Sequence, residues 1–256
     1  MKGLIIKDLL CMRKSLLVFI YVILSVFVVS VMFVLSSRFG NIATSMAQSV
    51  TDGSMTSVDV KAISVYVLSI FMVIPMAICA DLSVTFKLDN LASFNKVSTI
   101  LPVSAFKRVL AKYLTVFIMI GIGAVCDILM AGCLSLLTDA VNFMEFIGII
   151  TSSAAIMLIF ISISITYQYL FKAGTEDYAV IVALITTIAL GVLSNFSSVK
   201  AIWLSLVNGN PSMDGFNKLM FTFRDKSYVI MLAAIAITII TYFLSVLIVK
   251  RKRGIA

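Results

Sequence analysis

Residues 228–249 read YVIMLAAIAITIITYFLSVLIV, a stretch that is apolar throughout and contains no charged side chain. The hydrocarbon core of a bilayer is about 30 Å thick, and a helix needs roughly 20 apolar residues to cross it. Backbone amides cannot remain unpaired in lipid, and the stretch lacks the polar alternation of a barrel strand. It therefore predicts a transmembrane α-helix.

Five further runs have the same length and the same apolar character. They cover residues 15–37, 62–80, 114–137, 146–171 and 178–199. Hydrophobic residues make up 61% of the 256-residue chain and charged residues only 12%, a composition far from that of soluble domains. The sequence predicts an all-α, polytopic membrane protein with six transmembrane helices.

The basic residues predict how these helices are oriented, because lysine and arginine near helix ends are retained in the cytoplasm. With both termini in the cytoplasm, 14 of the 20 basic residues fall in cytoplasmic segments. Residues 81–113 then form a cytoplasmic loop. Residues 200–227 form an extracellular loop that carries four basic residues, and its phenylalanines suggest an interfacial or re-entrant helix as an alternative.

The chain is predicted to form one transmembrane domain over residues 1–256. No linker separates any two spans, and no segment between spans exceeds about 30 residues, which is too short for an independent core. Residues 1–14 are predicted to form an amphipathic interfacial helix, since Leu4, Ile5 and Leu9 gather opposite Lys7. The alternative is a simple positive flank to the first span.

Enzymatic chemistry within the chain is not expected. The sequence has no histidine, which removes the commonest general base, and its four cysteines lie in predicted spans or face the cytosol. An intramembrane aspartyl protease needs two central carboxylates, and only Asp127 is central. A phosphate-binding loop is absent too. We therefore predict no catalytic residue, no metal site and no cofactor in this chain.

Two residues inside the predicted spans attract attention. Asp127 lies about halfway along the third span, where a carboxylate costs several kcal/mol unless it is paired, hydrated or protonated. It is predicted either to serve substrate passage or to form a structural hydrogen bond with Ser, Thr or Gln of the fourth span. Pro75 in the second span is a hinge candidate, with a static kink as the alternative.

Three segments resemble a known family. The chain begins MKGLIIKDLL, residues 101–104 read LPVS before VLAKYL at 109–114, and residues 171–176 read FKAGTE. In this order they resemble the permease subunits of type-2 ABC exporters, in particular the short six-helix kind of Gram-positive bacteria. The resemblance implies a permease dimer, homomeric or heteromeric, in the bacterial plasma membrane. It also implies cytosolic ATPase subunits that bind ATP and Mg²⁺.

The same resemblance implies that the loop at 81–113 forms a coupling helix for the ATPase. Leu88, Leu91 and Phe94 recur at helical spacing, so one apolar ridge can enter a groove on a partner. A polar rim is expected around the ridge, at Lys87, Asp89, Asn90, Asn95 and Lys96. The alternative is a ridge that lies on the membrane surface. For Lys107, Arg108 and Lys112 we expect anchoring to lipid phosphates rather than ATPase contact.

The leading functional hypothesis is a permease subunit of an ABC exporter that moves an amphipathic or apolar cargo, such as a peptide, an antibiotic or a lipid-like molecule. The energy would come from the separate ATPase, because the chain has no phosphate-binding loop. The alternatives are a non-transporting membrane scaffold or sensor and, ranking lower, an ion-coupled carrier. The basic charge of +8 indicates contact with membrane lipid and not with nucleic acid.

Overall fold

The structure is a computed structural model that describes residues 2–39, 83–92, 104–137, 143–171, 174–207 and 221–253. Its helices are α1 Lys2–Cys11, α2 Arg13–Phe39, α3 Ser83–Leu91, α4 Ala105–Leu137, α5 Phe143–Leu170, α6 Glu176–Ser194, α7 Phe196–Val207 and α8 Ser227–Arg253. Residues 221–225 are helical as well. The described ranges contain no β-strand, and the predicted all-α class is confirmed.

Five of the described helices are long and apolar enough to cross a membrane. The candidate spans are Leu17–Leu35, Ala105–Leu136, Phe146–Leu170, Glu176–Ser194 and Ser227–Lys252. They correspond to five of the six predicted spans. The remaining one, at 62–80 with the hinge candidate Pro75, lies outside the described residues.

Helix α4 begins earlier than the hydropathy pattern predicts. The backbone N–H of Lys107 donates to Oγ of Ser104 at 3.4 Å, so Ser104 caps the first turn, as its position after Pro102 indicates. The last nine residues of the predicted loop at 81–113 are therefore the first turns of α4. Hydropathy alone does not reveal these turns, because they carry Lys107, Arg108 and Lys112, but Pro102 followed by Ser104 does predict a helix that starts here.

Helix α5 is the centre of the bundle and packs against α4, α6 and α8. A seam of buried hydroxyls joins it to α8. Ser162 Oγ lies 3.0 Å from Thr238 Oγ1, and Thr166 Oγ1 lies 3.1 Å from Ser245 Oγ. Tyr113 of α4 donates to the carbonyl of Ser162 at 3.3 Å. Lipid removes the hydrophobic drive between helices, so close packing and such hydrogen bonds hold the bundle together.

One end of the bundle collects α1, α3, the turn before α6 and the last turns of α8; we call it the α1 end. Nζ of Lys252 on α8 lies 2.6, 3.1 and 3.2 Å from the carbonyl oxygens of Tyr169, Leu170 and Phe171. It thereby satisfies carbonyls that the end of α5 leaves without helical partners. The segments gathered at this end are the ones that the basic-residue pattern places together in the cytoplasm.

At the opposite end, the helical residues 221–225 lie against the first turns of α5. Ser152 Oγ donates to the carbonyl of Phe223. A Cβ at Gly148 would stand 2.9 Å from the carbonyl oxygen of Arg224, so only glycine permits this approach. The predicted loop at 200–227 thus contains helix α7 in its first part and this helical segment near its end, while residues 208–220 lie outside the described residues.

Candidate functional site

Helix α3 is the described part of the predicted coupling loop outside the start of α4, and its two faces have different surroundings. Thr85, Phe86 and Asp89 are buried against the bundle, whereas Leu88 and Leu91 keep 39% and 82% of their surface exposed. Residues three and four apart share a helical face, so this division follows from the sequence spacing. One face of α3 therefore packs against the bundle, and the opposite face is exposed.

A buried group of four charges fixes the inner face of α3; we call Lys7, Asp8, Asp89 and Lys112 the charge cluster. Nζ of Lys112 on α4 lies 2.9 Å from Oδ1 of Asp8 on α1 and 2.8 Å from Oδ2 of Asp89 on α3. Lys7 bonds both carboxylates, with 3.1 Å from its Nζ to Oδ1 of Asp8. Two ammonium groups and two carboxylates therefore neutralise one another where three helices meet.

Because these ion pairs are buried, they determine where α3 lies. Asp8, Asp89 and Lys112 are only 2%, 6% and 6% exposed. Removing one partner from a buried ion pair leaves an uncompensated charge, which costs about 3–5 kcal/mol. The position of α3 thus depends on the charges that α1 and α4 present.

The charge cluster also affects the ionisation of Lys7. Burial by itself would lower the pKa of the Lys7 ammonium, but the hydrogen bond to Asp89 and the charges of Asp8 and Asp89 outweigh it, so the pKa is raised above its ordinary value. Lys7 is therefore held in its charged form at neutral pH.

An aromatic contact extends this arrangement to α5. Nζ of Lys112 lies 4.7 Å from the ring centroid of Phe86, within the range of a cation–π interaction. The Phe86 ring meets Tyr169 of α5 edge to face, with centroids 5.3 Å apart. Phe86 thus links the charge cluster to the central helix.

Two polar contacts tie the outer edge of α3 to α6. Lys87 Nζ lies 2.7 Å from Oδ1 of Asp177, and Nδ2 of Asn90 donates to Oε1 of Glu176. The same oxygen accepts the backbone N–H of Gly174 at 3.0 Å. Gly174 has φ +91°, a left-handed conformation that glycine adopts without strain. Glu176 therefore links helix α3 to the turn before α6 by hydrogen bonds to both.

The structure places the predicted coupling residues as follows. Leu88 and Leu91 lie on the exposed face of α3, whereas Phe94 and Lys96 lie outside the described residues. Asp89 does not belong to the expected polar rim, because it is buried in the charge cluster. Helical spacing identifies the residues that share a face, but it does not reveal which polar residue faces the bundle.

One further expectation at this end is corrected. Lys112 does not anchor lipid phosphates, since it is buried between Asp8 and Asp89; Lys107 is the exposed lysine of that turn. In α1, Leu4, Ile5 and Leu9 are partly buried, whereas Ile6 and Leu10 are exposed. Docking of Asp8 onto α4 sets the rotation of α1, and this contact has no sequence signal.

Asp127 lies apart from this site, on the inward face of α4. It is 0% exposed, and neither carboxylate oxygen has a hydrogen-bond partner among the described residues. The expected partners on α5 are Ser152, Ser153, Thr166 and Gln168. Ser152 bonds Phe223, Thr166 bonds Ser162, and Nε2 of Gln168 bonds Ser164, while Oε1 of Gln168 has no partner among the described residues. The expected structural hydrogen bond to these side chains is not formed.

The helical bundle and its five candidate spans define a multi-pass membrane protein. A family model described as ABC-2 family transporter protein matches residues 60–250, which is most of the chain. The chain belongs to this family of ABC transporter permeases, and the predicted family resemblance is confirmed at that level. Membership implies an ATP-binding partner in general terms. Neither the curated proteins nor the solved structures gave a match.

Proposed function

We propose that the chain is the permease subunit of an ABC exporter and that a separate cytosolic ATPase drives it through α3. One observation carries the proposal: α3 is bound to the bundle by buried charges on its inner face and presents Leu88 and Leu91 on its outer face. Exposed leucines on a firmly held helix suit an apolar groove of a partner. The ATPase subunit would supply the ATP and Mg²⁺ sites.

The contacts of α3 suggest how force would enter the bundle. A push on α3 acts on α4 through Lys112, on α1 through Lys7, and on α6 through Asp177. Packed helices respond to such a push by hinge and shear motions. ATP-driven closure of the partner would therefore tilt α4 and α6 together.

The remaining parts of the proposal concern the assembly and the cargo. We place the protein in a bacterial plasma membrane, paired with a second permease subunit of the same or another sequence and surrounded by membrane lipid. The bundle suits an amphipathic or apolar cargo, such as a peptide, an antibiotic or a lipid-like molecule, because its spans contain almost no charge.

The proposal is tested by purifying the intact complex from native membranes and assaying it for a nucleotide-binding subunit. The wild-type chain should retain an ATPase, and Leu88→Asp with Leu91→Asp should lose it. Val207→Asp is the matched control, because Val207 is also highly exposed but lies outside the predicted spans, in the loop at 200–227 on the other side of the predicted bundle. The control should retain the ATPase.

Three results would contradict the proposal. Full ATPase retention in the Leu88 and Leu91 variant would remove α3 as the docking site. Recovery of a kinase without an ATPase would favour the sensor alternative. Gradient-driven uptake into vesicles without ATP would favour an ion-coupled carrier.

A further inference from the structure

The six predicted spans contain one ionisable carboxyl and no basic residue. Asp127 is the only Asp or Glu within them, and every Lys and Arg of the sequence falls outside. No cation on a span of this chain is available to neutralise Asp127. A charged carboxylate at such a depth costs several kcal/mol unless it is paired, hydrated or protonated.

The position of Asp127 on α4 shows where that compensation must act. Residues at helical spacing from it form one buried face of α4: Val116, Ile120, Gly123, Met130, Ala131 and Leu134. Gly123 lies one turn before Asp127, and Met130 and Ala131 lie one turn after it. All of these neighbours on the helix are apolar, so none of them can compensate the carboxyl.

Several buried hydroxyls of the bundle bond one another, whereas the Asp127 carboxyl does not, and Oε1 of Gln168 on α5 also lacks a partner among the described residues. The hydroxyls of Ser162, Thr238 and Ser245 all take part in the seam between α5 and α8. Buried polar atoms usually have partners, and exceptions occur at functional sites. Both carboxyl oxygens of Asp127 lack a hydrogen bond within the described part of the chain.

We infer that Asp127 recognises the positively charged group of a cationic amphipathic cargo. This inference rests on the proposed export function and narrows its cargo class. A cationic head would compensate the carboxylate, while apolar parts of the cargo would contact Ile120 and Leu134. A resident metal ion fits less well, because the described residues include no group of three or more His, Cys, Asp or Glu that could hold one.

The carboxyl is closed off in this structure, so cargo reaches it only when α4 separates from a neighbouring helix. Asp127 lies on the same helix as Lys112, about 22 Å further along at the rise of an α-helix. Force applied to α3 acts on α4 through Lys112. Helix α4 would therefore both receive the force from the ATPase, through Lys112, and bind the cargo, through Asp127.

Direct binding of a permanent cation tests the inference without the ATPase. The full chain is placed in nanodiscs of zwitterionic lipid and titrated with radiolabelled tetraphenylphosphonium, and binding to empty nanodiscs is subtracted. The wild type should bind saturably. Asp127→Asn should weaken binding about tenfold or more, because the charge is lost at constant size. Asp127→Glu should stay within about threefold of wild type, because the charge remains.

The controls distinguish recognition of the positive charge from two other effects, namely unfolding of a variant and non-specific partition of the apolar cation into the bundle. Ser135→Ala, also on α4, should bind as wild type does. Neutral triphenylphosphine oxide should not displace the bound cation. Thermal unfolding of each variant reports whether it is folded, and Asp127→Ser is a second neutral variant that takes the place of Asp127→Asn if the asparagine variant unfolds.

Equal affinity of the wild type and Asp127→Asn, or an absence of saturable binding to the wild type, would overturn the inference. Either result leaves α3 docking untouched, because the assay contains no ATPase. Loss of the ATPase from the wild-type complex would, in turn, refute the proposed function without altering the cation measurement.

Discussion

Nζ of Lys112 lies 2.8 Å from Oδ2 of Asp89, and this contact joins the longest described helix of the bundle to the short helix outside it. The same nitrogen lies 2.9 Å from Asp8 of α1. One ammonium group therefore determines the arrangement of three helices. Any displacement of α3 must move Lys112 or break a buried ion pair.

Replacing Lys112 by Met is expected to destabilise the α1 end strongly. Asp8 and Asp89 would remain buried with only Lys7 to compensate them, at a cost of about 3–5 kcal/mol. Thermal unfolding of the purified chain should show the loss, and amide hydrogen exchange should show it first in α1 and α3. Lys107→Met is the matched control and should change little, because Lys107 is exposed. Equal stability of the two variants would show that the charge cluster is not structural.

The stabilisation by Lys7 is expected to disappear at alkaline pH. Since folding raises the pKa of Lys7, its contribution is complete below the ordinary lysine pKa of about 10.4 and is lost as the pH rises through the raised value. The difference in unfolding temperature between wild type and Lys7→Gln should therefore be constant from neutral pH to about pH 10 and then shrink. If the difference in unfolding temperature instead grew above about pH 10, folding would lower the pKa of Lys7 and not raise it.

Substitution of Gly148 by Ala should destabilise the opposite end of the bundle. The new Cβ would meet the carbonyl oxygen of Arg224 at 2.9 Å, and backbone must shift to relieve the contact. We expect a loss of about 1–3 kcal/mol, measured by thermal unfolding. Gly132→Ala on α4 is the matched control, because nothing lies within 4 Å of its Cβ position. That variant should be neutral or slightly more stable.

Loss of Lys252 should weaken the contact between α8 and α5. Lys252→Met removes the donor to three carbonyl oxygens at the end of α5, and we expect a cost of about 1 kcal/mol. Lys250→Met changes the same charge two residues earlier and should cost less. Faster amide exchange at residues 169–171 in Lys252→Met would show that the end of α5 frays when these contacts are lost. Identical exchange in both variants would speak against this capping role.

Hydropathy predicts the spans well, because the requirement for about 20 apolar residues in lipid leaves little freedom. Spacing also identifies Leu88 and Leu91 as sharing one face of a helix. The charge cluster could not be predicted in this way, since Lys112 and Asp8 are 104 residues apart in sequence. Asp89 and Lys112 were expected at the surface because charged residues usually are, and only the meeting of three helices makes their burial favourable.

Lys7 and Lys112 belong to the basic residues whose distribution predicts the orientation of the chain, yet in the folded protein each is paired with carboxylates of α1 and α3. A count of basic residues along the sequence therefore overstates the positive charge that the α1 end carries on its surface. The same two ammonium groups that contribute to the predicted orientation also hold three helices together.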